Sequence, residues 1–413
     1  MSYLRQFWSA GALLLTASVG VNAAAYVFQA VLARWLTDDD FGALKWANDW
    51  LGYVMTPVAA LQVAMTRYVA VFDAQSDPAA VASLAWRATR RLAWYAVAFL
   101  IFMAAAQSWL MMGFRLTSPA LLWVVAGLVV AQLTVPITTA MLQGLQRFNW
   151  LAAIGLAQSW GRVAFGLGLV ALGCGAVGAL GGQLLAALVA AALALWALRS
   201  LWQHRGADHG ALDTRPIYRY FWPALVVSLS VSTMGLVDTS FVRHYFDPGL
   251  SGQYGKAKMI AQALGCVIAP LAVVLFPKAA GDAARGDNSA VRALWQSLGV
   301  AAALGAAAGV ACSLWPWLPV RLLAGANNPV AEAIVAPFVW AMLPLALVVL
   351  PVQFFMARAE FKRLLVPLAV LVVAYPAVLW LWHGSLLQIL AVAGAAGACA
   401  LLTLIWSLWH VGK

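Results

Sequence analysis

The chain has 413 residues, of which 64% are apolar and only 9% charged, and its mean hydropathy is +0.86. Soluble domains are roughly half apolar and about one-quarter charged, so a soluble enzyme, a disordered tail and a disulfide-stapled secreted domain are all excluded. The composition is that of an integral membrane protein, and the formal charge of +11 reads as loop topology rather than nucleic-acid binding, because Lys and Arg stand in short loops between apolar runs.

One membrane-spanning helix takes about 20 apolar residues, so the chain has room for about twelve. Apolar runs predict spans over 8–32, 42–66, 92–112, 120–142, 150–172, 176–198, 221–243, 253–277, 292–314, 331–355, 364–382 and 386–409. The first run follows Arg5 and contains Ala23-Ala24-Ala25, which superficially resembles a signal peptide. It continues from Phe7 to Ala33, past an h-region of about 7–15 residues, and is read as a retained span. After the second span, Pro78 to Arg91 mixes apolar residues with Arg87, Arg90 and Arg91, as either an interfacial amphipathic helix or a stop signal would.

With a cytoplasmic N-terminus, the outer loops carry only Arg34, Arg115, Arg243 and Arg321 among the bases, and the inner loops hold most of the rest. That bias puts both termini in the cytoplasm and makes the number of spans even. The inner loop over 199–219 contains Gln203-His204-Arg205-Gly206-Ala207-Asp208-His209-Gly210 and reads as a polar linker. The expected organisation is an N-terminal six-helix lobe over 1–205, a cytoplasmic linker over 206–216 and a C-terminal six-helix lobe over 217–413. Cys174, Cys266, Cys312 and Cys399 are isolated in apolar surroundings, which predicts buried inert thiols and no metal or redox chemistry.

The two halves match in register. Arg5-Gln6-Phe7-Trp8 answers to Arg219-Tyr220-Phe221-Trp222, and Arg34-Trp35-Leu36-Thr37-Asp38-Asp39-Asp40-Phe41-Gly42 to the stretch from Arg243 through Asp247-Pro248 to Gly252. The next spans end on Arg67 and Lys278, and the fourth spans close on Pro136, Met141, Arg147 and Phe148 against Pro351, Met356, Arg358 and Phe361. This order implies two parallel six-helix repeats, related by an axis along the membrane normal and meeting at a central cleft suited to alternating access.

The glycine after an acidic turn, Gly144-Leu145-Gln146-Arg147-Phe148 and Phe276-Pro277-Lys278 resemble the Wzx-like oligosaccharide flippases of the multidrug/oligosaccharidyl-lipid/polysaccharide exporter superfamily. The resemblance implies an all-α, V-shaped pair of lobes opening alternately to each side of the bacterial inner membrane. The cargo it implies is a polyprenyl-diphosphate-linked glycan whose lipid tail stays in the bilayer. Polysaccharide polymerase and glycosyltransferases are the implied protein partners, and the chain is expected to be no enzyme and to need no cofactor, with H+ or Na+ coupling left open.

A charge near the bilayer midplane costs about 2.5–3.5 kcal/mol on insertion scales, so in-span charges are the candidates. Arg162 is the deepest base, and either faces the cleft to attract a diphosphate or acidic sugar, or pairs with Asp238 or caps carbonyls between helices. Lys45 and Asp49 are four apart and either pair on one helix face or serve the cleft. Lys256 and Lys258 point to different faces, so one reaches the cleft while the other snorkels. Asp238 either couples transport to an ion or balances the cleft cations, or else simply forms a salt bridge, and Asp49 is grouped with it for coupling or charge balance. Asn22, Gln29 and Gln262, with Gln62, Gln132 and Gln158, either line a sugar path or bond between helices.

Pro57, Pro136, Pro270, Pro344 and Pro351 are bending points or static kinks. The runs Gly178-Ala179-Leu180-Gly181-Gly182 and Gly305 to Gly309 read as packing seams, and the Trp residues near span ends as an aromatic belt. A cation-coupled multidrug antiporter is a second reading, but spans one and three to six carry no carboxylate. A glycan polymerase or ligase is a third, and it wants titratable groups in a sizeable outer loop, which is missing here.

Overall fold

The computed structural model describes residues 2–75, 77–116, 118–199, 215–263, 265, 289–326, 328–358 and 360–409. Most of the expected linker, Cys266, Pro270, Phe276-Pro277-Lys278 and the end of the 253–277 span lie outside the described residues.

Every regular element among the described residues is a helix. The first seven are α1 (Ser2–Trp35), α2 (Asp38–Ala74), α3 (Pro78–Gly113), α4 (Pro119–Gln132), α5 (Thr134–Gly144), α6 (Phe148–Ala171) and α7 (Gly175–Ala197). Then follow α8 (Arg215–Tyr245), α9 (248–263), α10 (Ser289–Leu314), α11 (Trp317–Ala324), α12 (Pro329–Ala357), α13 (Lys362–Leu381) and α14 (Leu386–Trp409). Nine helical stretches among the described residues are long and apolar enough to cross a membrane, so this is a multi-pass membrane protein. The expected spans at 42–66 and 150–172 are helical but outside those nine, because Lys45, Asp49 and Arg162, with neighbouring Asn, Gln and Trp, dilute their hydropathy.

Two expectations are refined here. Residues 78–91, expected as an interfacial amphipathic helix or a stop signal, are continuous with the third span as the opening turns of α3, started by the Asp77 carboxylate accepting from Ala80 N at 2.9 Å. Val81, Leu84 and Ala85 bury that stretch in a core shared with Val58, Met65 and Val69 of α2, Ile137 and Met141 of α5 and Ala194 of α7. Of the described cysteines only Cys312 is buried; Cys174 and Cys399 are exposed.

The chain forms two compact units, Met1–Leu36 with Val54–Phe221, and Thr37–Tyr53 with Trp222–Lys413. The first half of α2, which the sequence counts with the N-terminal lobe, therefore belongs to the second unit. In the first unit, α1 lies on α6 and α6 on α7 through small residues. A Cβ on Gly20 would stand 2.9 Å from the tip of the Leu156 side chain, and one on Gly182 would run into the backbone of Gly166, where only glycine permits the approach. Pro136 donates no N–H to Gln132, and there the span expected over 120–142 divides into α4 and α5. In the second unit, α12 packs on α14, where Gly394 and Gly397 admit Ala341 and Leu345.

The repeat is visible in backbone geometry. Residues 31–40 and 241–250 follow the same course, five helical residues, a bend, one residue outside any regular element and a new helix. A second correspondence differs from the sequence register: Arg147 donates to Ala197 O at the end of α7 (2.9 Å), and Arg363, rather than Arg358, donates to Ser407 O near the end of α14 (2.9 Å). Each cation satisfies a carbonyl that the last helical turn leaves without a partner.

Candidate functional site: a buried ionic network in the second unit

Helix α2 starts at Thr37, whose hydroxyl accepts from Asp40 N and donates to the Asp40 carboxylate, both at 3.2 Å. Asp38, Asp39 and Asp40 fill the first turn, where the exposed N–H groups favour negative charge. Two of these acids reach other helices. Asp38 receives Lys256 Nζ of α9 at 2.6 Å and Gln253 Nε2 at 3.2 Å, while Asp39 pairs with Arg243 of α8 at 2.6 Å. Lys256 also donates to Asn328 Oδ1 at 2.8 Å, and the Gln253 carbonyl accepts from Val330 N at 2.9 Å in the first turn of α12. This outer cluster ties α2, α8, α9 and α12 together.

A second cluster lies deeper, about 16 Å further along α2 at 1.5 Å per residue. Lys258 of α9 is 0% exposed and spends its three N–H donors on Asp49 Oδ2 (2.8 Å), Asp238 Oδ1 (2.7 Å) and the Thr239 hydroxyl (2.7 Å). Thr239 in turn donates to Asp49 Oδ2 at 2.6 Å, and the Tyr254 hydroxyl donates to Asp238 Oδ2 at 2.6 Å. Lys45 faces Asp49 Oδ1 at 3.1 Å across one helical turn and donates to Gln262 Oε1 at 2.7 Å. Two carboxylates and two ammonium groups thus sum to zero formal charge with every partner in hydrogen-bond range. A buried charge is costly unless it is paired and hydrogen-bonded in this way.

The helices can come this close because of the repeat glycines. A Cβ on Gly42 would meet Gly252 N at 2.8 Å, one on Gly252 would run into the Asp38 carbonyl, and one on Gly255 would press on Lys45 Cβ at 3.2 Å. Equivalent turns of the two halves therefore abut each other, and the lysines of one helix meet the aspartates of the other.

The candidates read from sequence divide into two groups. Lys45, Asp49, Asp238, Lys256, Lys258 and Gln262 come together in the second unit, all but Gln262 being buried. Neither Lys256 nor Lys258 snorkels, since each finds a carboxylate within 2.8 Å. Arg162, Asn22 and Gln29 belong to the first unit. Arg162 stands half-buried on α6 with its guanidinium 5.6 Å from the Phe28 ring centroid, and has no carboxylate partner among the described residues. Asp238, within the second unit, is engaged by Lys258 and Tyr254. Asn22 is exposed and Gln29 half-buried on α1.

Sequence reasoning missed Asp38, Arg243, Thr239, Gln253, Tyr254 and Asn328. Two signals were available: Tyr254 precedes Lys258 by one helical turn, and Thr239 adjoins Asp238. Among the described residues no group of three or more His, Cys, Asp or Glu could hold a metal ion.

Comparison with known proteins gives one family and one fold. The family described as polysaccharide biosynthesis protein matches residues 7–280. No curated protein matches the chain in sequence. Among solved structures, the chain is similar to an inward-facing multidrug resistance MATE family transporter of the MOP superfamily, at a TM-score of 0.76 and 13% identity over 95% of this chain and 93% of that one. It is also similar to the lipid II flippase MurJ in an inward closed conformation, at 0.74 and 12% identity over 96% and 87%. An outward-facing MATE transporter of the same superfamily follows at 0.66 and 13% identity over 98% and 95%.

Proposed function

Because the chain belongs to the polysaccharide biosynthesis protein family, we propose that it carries a polyprenyl-diphosphate-linked oligosaccharide across the bacterial inner membrane by alternating access. The fold it shares with MATE transporters and a lipid II flippase supports a transporter rather than an enzyme. In this reading both termini are cytoplasmic, glycosyltransferases supply the cargo and a polymerase takes it up on the far side.

The observation that carries the reading is the contrast between Arg162 and the lysines. Lys45, Lys256 and Lys258 are each matched by carboxylates within 3.1 Å, whereas Arg162 keeps a buried Nε without a hydrogen-bond partner among the described residues. An uncompensated guanidinium in a membrane helix suits an anionic cargo, because its planar fork matches phosphate oxygens in pairs. Asn22 and Gln29, on the helix that packs against α6, offer neutral hydrogen bonds to sugar hydroxyls. Asp49 and Asp238 act as charge balance. A cation-coupled antiporter needs a carboxylate free to exchange its cation, and both of these hold Lys258.

Arg162→Ala is expected to stop glycan export at normal protein level, with Arg162→Lys retaining part of it because Lys keeps the charge and loses the fork. Mass analysis of lipid-linked glycans accumulating in a complemented deletion strain measures this. Export at the wild-type rate by Arg162→Ala would remove that residue, and with it the support for an anionic cargo.

A further inference from the structure

Helix α3 carries Arg87, Arg90 and Arg91 in its third and fourth turns and has no acidic residue anywhere along its length. Helical spacing puts these arginines and Trp94 on one face, with neighbouring Cβ atoms about 5–6 Å apart. That face lies opposite Ala85, Leu92 and Ala96, which are buried in the first unit. Arg90 and Arg91 are exposed, and the exposed surface continues along the helix through Trp94 (72%), Tyr95, Val97, Ile101 (65%) and Phe102. Arg90 to Phe102 covers about 18 Å at 1.5 Å per residue, the reach of one leaflet. Cations, then an aromatic pair, then bare apolar side chains is the order in which a lipid presents its head group, glycerol region and chains.

The repeat supplies an internal control. Trp86 and Trp295 are related by the same offset as Arg34 and Arg243, and they are exposed alike, at 42% and 40%. In that register Ala85 and Leu92 answer to Leu294 and Ala301 of α10, and all four are buried. The places of Arg87, Arg90 and Arg91 are taken by Gln296, Gly299 and Val300, all exposed. Two helices with matching buried and exposed faces thus differ in their cations, and α10 manages with the single base Arg292. Packing of the repeat does not call for three arginines at this surface.

We propose that Arg87, Arg90 and Arg91 form a binding site for the phosphate of an anionic phospholipid, whose chains lie along Val97, Ile101 and Phe102. The run from cations into lipid-facing apolar surface selects a lipid over a soluble acid. The charge selects an anionic head group, because guanidinium forks take phosphate oxygens in pairs while the ammonium of a zwitterionic lipid offsets the attraction. A lipid held there braces the opening turns of α3, whose other face packs on Val58, Met65 and Val69 of α2. The site requires only that the chain cross the membrane and stands apart from the cargo proposed above.

The test uses the full chain in phosphatidylcholine nanodiscs containing a little phosphatidylglycerol with a diazirine near its head group, followed by peptide mapping of the adducts. Labelling is expected on residues 86–95 and not on 295–304, with competition by unlabelled phosphatidylglycerol and none by added phosphatidylcholine. Arg90→Gln with Arg91→Gln is expected to weaken it at least about tenfold, and Arg292→Gln on α10 to leave it unchanged. Phosphatidylglycerol should also raise the melting temperature of the wild type and not that of the double variant. Equal labelling of the two segments, equal competition by the zwitterionic lipid, or full labelling of the folded double variant would overturn the site. The wild-type map decides this even where the double variant fails to fold. Displacement of the probe by undecaprenyl phosphate at concentrations where phosphatidylglycerol is ineffective would overturn the phospholipid and give the arginines to a polyprenyl-linked ligand.

Discussion

Lys258 illustrates what a fully buried ammonium demands of its surroundings: three acceptors for three donors, and negative charge close enough to offset the lost water. Removing the amine leaves Asp49 and Asp238 buried with too little positive charge, and breaking a buried pair in this way costs about 3–5 kcal/mol. Lys258→Met is therefore expected to lower the melting temperature of the purified protein sharply, and adding Asp49→Asn and Asp238→Asn to restore much of it. A melting curve unchanged by Lys258→Met alone would show that the cluster contributes little to the fold. Tyr254→Phe takes only one donor from Asp238, so it should cost less, about 1.5–3 kcal/mol for a hydrogen bond to a charged group. At this scale the sequence was half legible. Spacing alone brings Lys45 to Asp49 and sends Lys256 and Lys258 different ways, because both follow from helix periodicity. The choice of Asp238 for Lys258, or of Asp38 for Lys256, depends on which helices abut, and Asp38 reads in sequence as one acid of a surface turn.

Helices α2 and α9 start with equivalent turns, and their glycines decide how near those turns come. The Asp38 carbonyl that a Cβ on Gly252 would strike belongs to the backbone of a capped helix end and cannot swing aside as a side chain can. Gly252→Ala should thus lose stability by about 1–3 kcal/mol, the usual cost of overpacking, and reduce the protein recovered from membranes. Gly168→Ala on α6 is the control, since nothing lies within 4 Å of its Cβ and alanine is the better helix former. Equal recovery of the two variants would mean that the α2–α9 approach tolerates a methyl group. The glycines were legible as repeat markers, and Gly178 to Gly182 as a seam, because small residues at helical spacing have few other uses in a membrane. Element boundaries were less so. Residues 78–91 hold three arginines and read as an edge, yet one face of that stretch carries Val81, Leu84 and Ala85 into the core and keeps it part of α3.

The division of α2 between the two compact units is a property of the whole molecule that no local pattern announces. The second unit takes α2 up to Tyr53, the first takes it from Val54, and Pro57 lies inside the helix four residues after Tyr53. Proline donates no N–H, so the Tyr53 carbonyl loses its helical partner at the very residue where one unit ends and the next begins. The sequence offered Pro57 as a bending point or a static kink, and under the proposed alternating-access reading this is the residue at which α2 would flex. An interior proline costs a helix about 3 kcal/mol, so Pro57→Ala should stabilise α2 while slowing transport. The two effects separate the readings: a static kink predicts a changed melting temperature with normal glycan export, and a working hinge predicts a raised or unchanged melting temperature with export several-fold slower. Parallel measurement of melting and of accumulated lipid-linked glycan in the same variant distinguishes them, and normal export would leave Pro57 as a feature of shape alone.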